Sequence, residues 1–151
     1  MAQKRNVHIP ENSSVLQEKF INCMMRGGKK ATARRIFSDA MEKIAAKGHK
    51  EPVKLFEKAL DTIKPTLEVK AKRIGGAVYQ IPMEVKPSRQ MTLSIRWILE
   101  TTRSKRNAPM ADKLANELIQ AANGEGPAIK KRDDVIKMAQ ANKAFAHYAK
   151  Y

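Results

Sequence analysis

The sequence predicts a mainly α-helical domain of six helices, with a protruding two-stranded β-hairpin between the third and the fourth. Three observations predict it. Apolar residues recur at spacings of three and four in six stretches, most of them bounded by glycine or proline. One interval, at about residues 67–86, switches to alternation around Gly75-Gly76. The 151 residues suit one ordinary domain, and 42% are apolar while only 5% are aromatic, so aliphatic side chains must fill the core.

Residues 1–12 have no periodicity and are expected to form a short basic N-terminal tail; residues 13–151 are expected to form the single helical domain. The first helix opens at Ser14, which forms a capping box with Gln17. Leu16, Phe20, Cys23 and Met24 share its apolar face, so Cys23 is expected to be a buried thiol. Gly27-Gly28 ends that helix. The second runs from about Lys29 to Lys47 on a stripe of Ala33, Ile36, Phe37, Ala40, Met41 and Ile44, and Gly48 stops it. The third starts at Pro52, a residue suited to the first helical turn, and carries Val53, Phe56, Leu60 and Ile63 until Pro65.

Beyond Pro65 the period becomes two. Leu67, Val69 and Ala71 alternate with Glu68, Lys70 and Lys72; Tyr79, Ile81, Met83 and Val85 alternate with Gln80, Pro82, Glu84 and Lys86. Pro82 fits an isolated ribbon with exposed edges. A lone hairpin is marginal in water, and its charge favours reaching toward a partner. Helix returns after Pro87, with Met91, Ile95, Ile98, Leu99 and Thr102 inward. Trp97 is expected in the core. Pro109 opens a fifth helix on Ala111, Leu114, Ala115, Leu118 and Ala122, closed by Asn123-Gly124. A loop then leads to Asp133 as N-cap of a last helix carrying Val135, Met138, Ala139 and Phe145.

Charge decides the partner. Thirty Lys and Arg against fifteen Asp and Glu leave a formal net charge of +15. A domain so charged repels itself unless a polyanion neutralises it, and nucleic acid is the commonest one. No apolar run approaches the ~20 residues that cross a bilayer, and the opening MAQKRNVHIPENSS has no stretch like a signal peptide's. The helices have core-like faces, not the bulky amphipathic face of a membrane-surface helix, so no membrane partner is expected. Cys23, the single cysteine, allows neither an internal disulfide nor a cysteine metal knuckle, and suits a reducing compartment.

The cations cluster. Lys29 and Lys30 open the second helix, where they oppose its dipole unless a phosphate is bound, and Arg34 and Arg35 extend the patch. Lys70, Lys72 and Arg73 line the first hairpin strand, with Lys86 and Arg89 near the other end. Charges on an exposed strand edge also prevent aggregation, so the two roles overlap there. Arg89, Arg96 and Arg103 are seven apart, within ~20° per step of one helix face. Their planar guanidinium groups suit phosphate. Lys130-Lys131-Arg132 precedes the expected start of the last helix. Such contacts give affinity and register without reading sequence.

No catalytic constellation emerges. His8, His49 and His147 have no ligand spacing. Gly28-Lys29-Lys30 looks like the end of a phosphate-binding P-loop, but position 23 is Cys instead of Gly and position 30 is Lys instead of Ser or Thr. The acidic residues form mixed-charge faces. No enzyme, cofactor, metal site or small-molecule substrate is expected.

Three segments then become specific: EKFINCMMRGGKK, VKAKRIGGAVYQIPMEVKPSR and KKRDDVIKMAQANKAFAHY. They resemble the bacterial and organellar family of small-subunit ribosomal protein seven, collinearly from about Phe20 to Tyr148. The resemblance implies a helical protein with a protruding hairpin that is a primary binder of the 3′ major domain of small-subunit ribosomal RNA. It implies nucleation of the subunit head and a place on the subunit interface, near exit-site transfer RNA and the messenger RNA channel. Ribosomal proteins nine and eleven would be neighbours, and the location would be a cytoplasmic or organellar ribosome. It carries RNA contact onto Lys29, Lys30, Lys70, Lys72, Arg73, Lys86, Arg89, Arg96, Lys130, Lys131 and Arg132. The hairpin arm, with Arg73, Ile74, Gly75, Gly76, Tyr79 and Gln80, would reach toward transfer and messenger RNA. Lys72 and Gln90 stand where the family is often arginine, and Ile136 where it is often histidine. The competing expectation is an architectural DNA-binding protein, whose arm would use Ile74 as its wedge between base steps.

Overall fold

A computed structural model of the chain describes residues 8–150, so residues 1–7 of the expected basic tail lie outside the described residues. The helices are α1 (Val15–Met24), α2 (Lys30–Ala46), α3 (Pro52–Ile63), α4 (Pro87–Ser104), α5 (Met110–Ala122) and α6 (Pro127–Ala141). Strands β1 (Leu67–Ile74) and β2 (Ala77–Glu84) stand between α3 and α4, and a 3-10 helix (Lys143–Lys150) follows α6. The architecture is the expected one, with a seventh helical segment added by the break after Ala141.

Phe20, Phe37 and Phe56 join α1, α2 and α3 at the centre of the core. Phe56 meets the other two rings edge-on, at centroid distances of 5.1 and 5.2 Å. Helix α5 runs through the interior, where Leu114, Ala115, Leu118 and Ala121 are fully buried. Its alanines leave room for α2 and α3 to lie close on either side. Trp97 is buried, as expected. Ser14 caps α1 by accepting from the Gln17 N–H at 3.2 Å.

Several expectations are corrected. Cys23 is exposed. The buried face of α1 is Gln17, Glu18, Phe20, Ile21 and Met24, so Ile21 turns inward and rotates Cys23 to the solvent side. Val53 and Met138, expected on apolar stripes, are 39% and 50% exposed. Each lies at the margin of its helix face. The last helix begins six residues earlier than Asp133, at Pro127. Gly126 adopts φ 96°, ψ 174°, a conformation that L side chains avoid, and Pro127 then occupies the first turn. The Glu117 carboxylate accepts from the Ala128 N–H at 3.2 Å, capping α6 from another helix. The same helix stops at Ala141, so Phe145 belongs to the 3-10 helix.

The hairpin pairs Ile74 with Ala77, leaving Gly75-Gly76 as a two-residue loop. Both glycines have positive φ, 57° and 85°, as a type I′ turn requires. The ribbon is not isolated along its whole length. Ile81 and Pro82 are buried where the ribbon lies against α6 and the 3-10 helix, and the latter reaches the Lys72–Tyr79 pair, two residues from the turn. The ribbon's far end is open, and Val78 is 64% exposed.

Candidate nucleic-acid interface

Helix α4 carries the geometry that matters most. Arg89, Arg96 and Arg103 lie along one face over fourteen residues, roughly 21 Å at 1.5 Å per residue. At one end the Arg89 Nε is 3.5 Å from the Glu68 carboxylate of β1. At the other, Arg103 Nη2 donates to the Met24 carbonyl at the end of α1, at 3.0 Å. Arg96 between them is exposed. The row thus ties the hairpin base to the α1–α2 junction, and segments distant in sequence form one basic strip.

Glu100 is the only acidic residue of α4 and follows Arg96 by one turn, on nearly the same face. Lys131 of α6 pairs with it. Lys131 therefore cancels the one negative charge that helix would add to the strip. Its neighbours do other work. Lys130-Lys131-Arg132 lies inside α6 and not before it, so the three side chains point about 100° apart. Arg132 donates to the Thr62 carbonyl of α3 and pairs with Asp133 at 2.8 Å, while Lys130 is exposed.

The α2 patch divides in the same way. Arg34 grips the buried Glu18 through Nη1 and Nη2 at 2.7 and 3.0 Å, and Lys30 Nζ lies 3.2 Å from the same carboxylate. The Arg34 guanidinium, then the Ser13 hydroxyl and Lys30, hold the Glu18 carboxyl down at about 2 against the opposing effect of burial. Lys29 and Arg35 are exposed, with no acid partner among the described residues. No acidic residue stands in the first turn of α2 and no side chain caps it.

Sequence reasoning missed Arg26. It lines a cleft of about 270 Å³ with Lys29, Thr32 and Arg103, over Met24, Met25, Ile36 and Met110. The Arg103 guanidinium is pushed below its ordinary pKa, first by burial and then by the positive charge of Arg26. The signal was present: Arg26 precedes Gly27-Gly28 at the end of α1, where a cation is usually credited to the helix dipole alone. Lys105, just beyond the end of α4, is turned inward. Its Nζ is 2.7 Å from Glu117 Oε2, close enough to pair but off the angle of a hydrogen bond.

On the hairpin, Arg73 is exposed at the tip beside Gly75 and Gly76, while Ile74 is half-buried. Lys70 is 3.8 Å from Glu68, a loose pair, and Lys72 Nζ donates to the Tyr148 carbonyl at 3.4 Å. Tyr79 stacks on Tyr148 with centroids 5.5 Å apart and meets Phe145 at 5.1 Å, so it anchors the C-terminal segment to the ribbon. Gln80 and Lys86 are exposed. Among the described residues no helix is long and apolar enough to cross a membrane.

A family model described as ribosomal protein S7p/S5e matches residues 1–143 of the chain. A protein of Koribacter versatilis named small ribosomal subunit protein uS7 is 52% identical over 149 residues, covering 98% of this chain and 95% of that protein. Proteins of the same name from Solibacter usitatus and Pseudomonas fluorescens are 56% identical over 136 residues and 49% identical over 149 residues. They cover 90% and 98% of this chain and 87% and 96% of their own lengths.

Proposed function

The chain belongs to the ribosomal protein S7p/S5e family, and we propose from that premise that it builds the small ribosomal subunit by binding the 3′ major domain of its RNA. It is a structural constituent of the ribosome and not an enzyme. The proposal extends to a primary role in RNA binding and to nucleation of the subunit head in the cytoplasm. The hairpin arm reaches toward exit-site transfer RNA and messenger RNA, with ribosomal proteins nine and eleven as neighbours.

The observation that carries the proposal is the strip on α4. Three arginines span ~21 Å, tied to the hairpin at Glu68 and to α1 at Met24, with Glu100, the one acid of α4, paired by Lys131. Further exposed cations are Lys29 and Arg35 at α2, Arg73 on the hairpin, Lys86 at the start of α4 and Lys130 on α6. Lys30, Arg34, Lys72, Lys131 and Arg132 act one step back, holding the elements that carry the exposed ones, while Lys70, 3.8 Å from Glu68, stays exposed. Folded RNA is recognised by shape and by unstacked bases, so a rigid strip with a projecting arm suits it.

The test is equilibrium binding of the intact chain to the 3′ major domain of small-subunit ribosomal RNA, with duplex DNA as competitor, at two salt concentrations. Tight RNA binding that survives excess DNA supports the proposal. Equal affinity for both would overturn it and favour an architectural DNA-binding protein.

A further inference from the structure

We infer that the cleft at the α1–α2 junction receives one unstacked nucleotide of the bound RNA. Its base lies against Met24, Met25, Ile36 and Met110, and its phosphate against Arg26, Lys29 and Arg103. The inference rests on the RNA-binding proposal above and adds where the RNA offers a base instead of its backbone.

Size, lining and charge converge on this occupant. The cleft holds about 270 Å³, near the lower end of the ~300–1,000 Å³ typical of small-ligand pockets. Phosphate contact alone needs no cavity; a flat basic face provides it. This site is a concavity whose lining includes three thioether side chains, and polarisable sulfur packs well against a planar ring. Three cations share the lining, and no acidic residue does. Arg103 is held at the cleft, its Nη2 donating to the Met24 carbonyl at 3.0 Å. Its charge is disfavoured by burial and by Arg26, and an anion in the cleft would relieve both. Bases splayed from single-stranded loops are the part of folded RNA that enters such sites. An aliphatic peptide side chain would fill the apolar part but leave the three cations unanswered.

The test uses the intact chain with its eight methionines carrying ¹³C-labelled methyl groups, each signal assigned by a single Met→Leu variant. Binding of the 3′ major domain RNA should move the Met25 and Met110 signals upfield, under the ring current of a base. Inorganic polyphosphate, which lacks bases, should not do so. Met25→Asn should weaken RNA binding about fivefold without changing its salt dependence, because no phosphate contact is lost. Arg26→Ala should lower the slope of log affinity against log salt by about one. Methyl signals unmoved in a complex that still forms would overturn the nucleotide site while leaving RNA binding intact. Equal shifts with polyphosphate would also overturn it, reducing the cleft to an anion site. Failure of the RNA to bind at all would overturn the nucleotide site together with the proposed function.

Discussion

Arg34 and Glu18 form a two-pronged ion pair, with Nη1 2.7 Å from Oε1 and Nη2 3.0 Å from Oε2. The carboxylate is almost wholly buried on α1, and the guanidinium comes from the exposed margin of α2. The pair therefore locks the first two helices together. It also engages internally an arginine that the sequence places among the basic residues of the surface.

Stability should carry the signature of Glu18 in acid. Its pKa falls from 4.5 in the unfolded chain to about 2 in the fold. The unfolded chain then binds more protons between these values, so the contribution is full above about pH 4.5 and is lost as pH falls through about 2. At ~1.4 kcal/mol per unit the ceiling is about 3 kcal/mol, and solvent screening at the half-exposed Arg34 and Lys30 lowers it. Denaturant unfolding as a function of pH checks this. Glu18→Gln should flatten the profile in that window and lower stability near neutral pH.

Glu117 should matter as much to the other half of the molecule. It caps α6 at Ala128 and pairs with Lys105 from a fully buried position. Glu117→Ala leaves a helix end uncapped and Lys105 without its partner, a loss of about 2–4 kcal/mol. Hydrogen exchange should show the Ala128 amide and the first turn of α6 opening first, with α2 and α3 still protected.

The hairpin tip depends on two left-handed residues. Gly76→Val should cost about 1–2 kcal/mol through the positive φ, and the loss should be confined to the ribbon. Gly75→Asn should be tolerated, because asparagine adopts that conformation readily. Amide chemical shifts of Arg73 to Val78 would distinguish local loosening of the arm from general unfolding.

Much of this molecule is legible in its sequence. The switch from period 3.6 to period two at Leu67 and the Gly75-Gly76 pair locate the arm to within two residues of its observed strands. The start of α6 was also legible. Pro127 occupies the first turn as Pro52 and Pro87 do, but the glycines around it read as a loop. Cys23 was misplaced because Leu16, Phe20 and Met24 make an acceptable stripe with it, whereas the fold rotates α1 to bury Ile21 and the Glu18 ion pair. The division of labour among the cations was not legible. Whether a lysine is exposed or engaged depends on partners far along the chain, sixteen residues away for Arg34 and Glu18 and thirty-one for Lys131 and Glu100. Composition counts such residues alike.

That division is the centre of the account, and the salt dependence of RNA binding tests it most directly. The measurement compares the slope of log affinity against log salt for the intact chain, Arg96→Ala and Arg34→Ala, with thermal unfolding of each. Arg96 is exposed, with no acid partner among the described residues, so its loss should lower the slope by about one and leave stability unchanged. Loss of Arg34 should leave the slope unchanged and lower stability, by leaving the buried Glu18 charge with only Lys30 and the Ser13 hydroxyl. The opposite pattern, with Arg34 setting the slope and Arg96 the stability, would contradict the account.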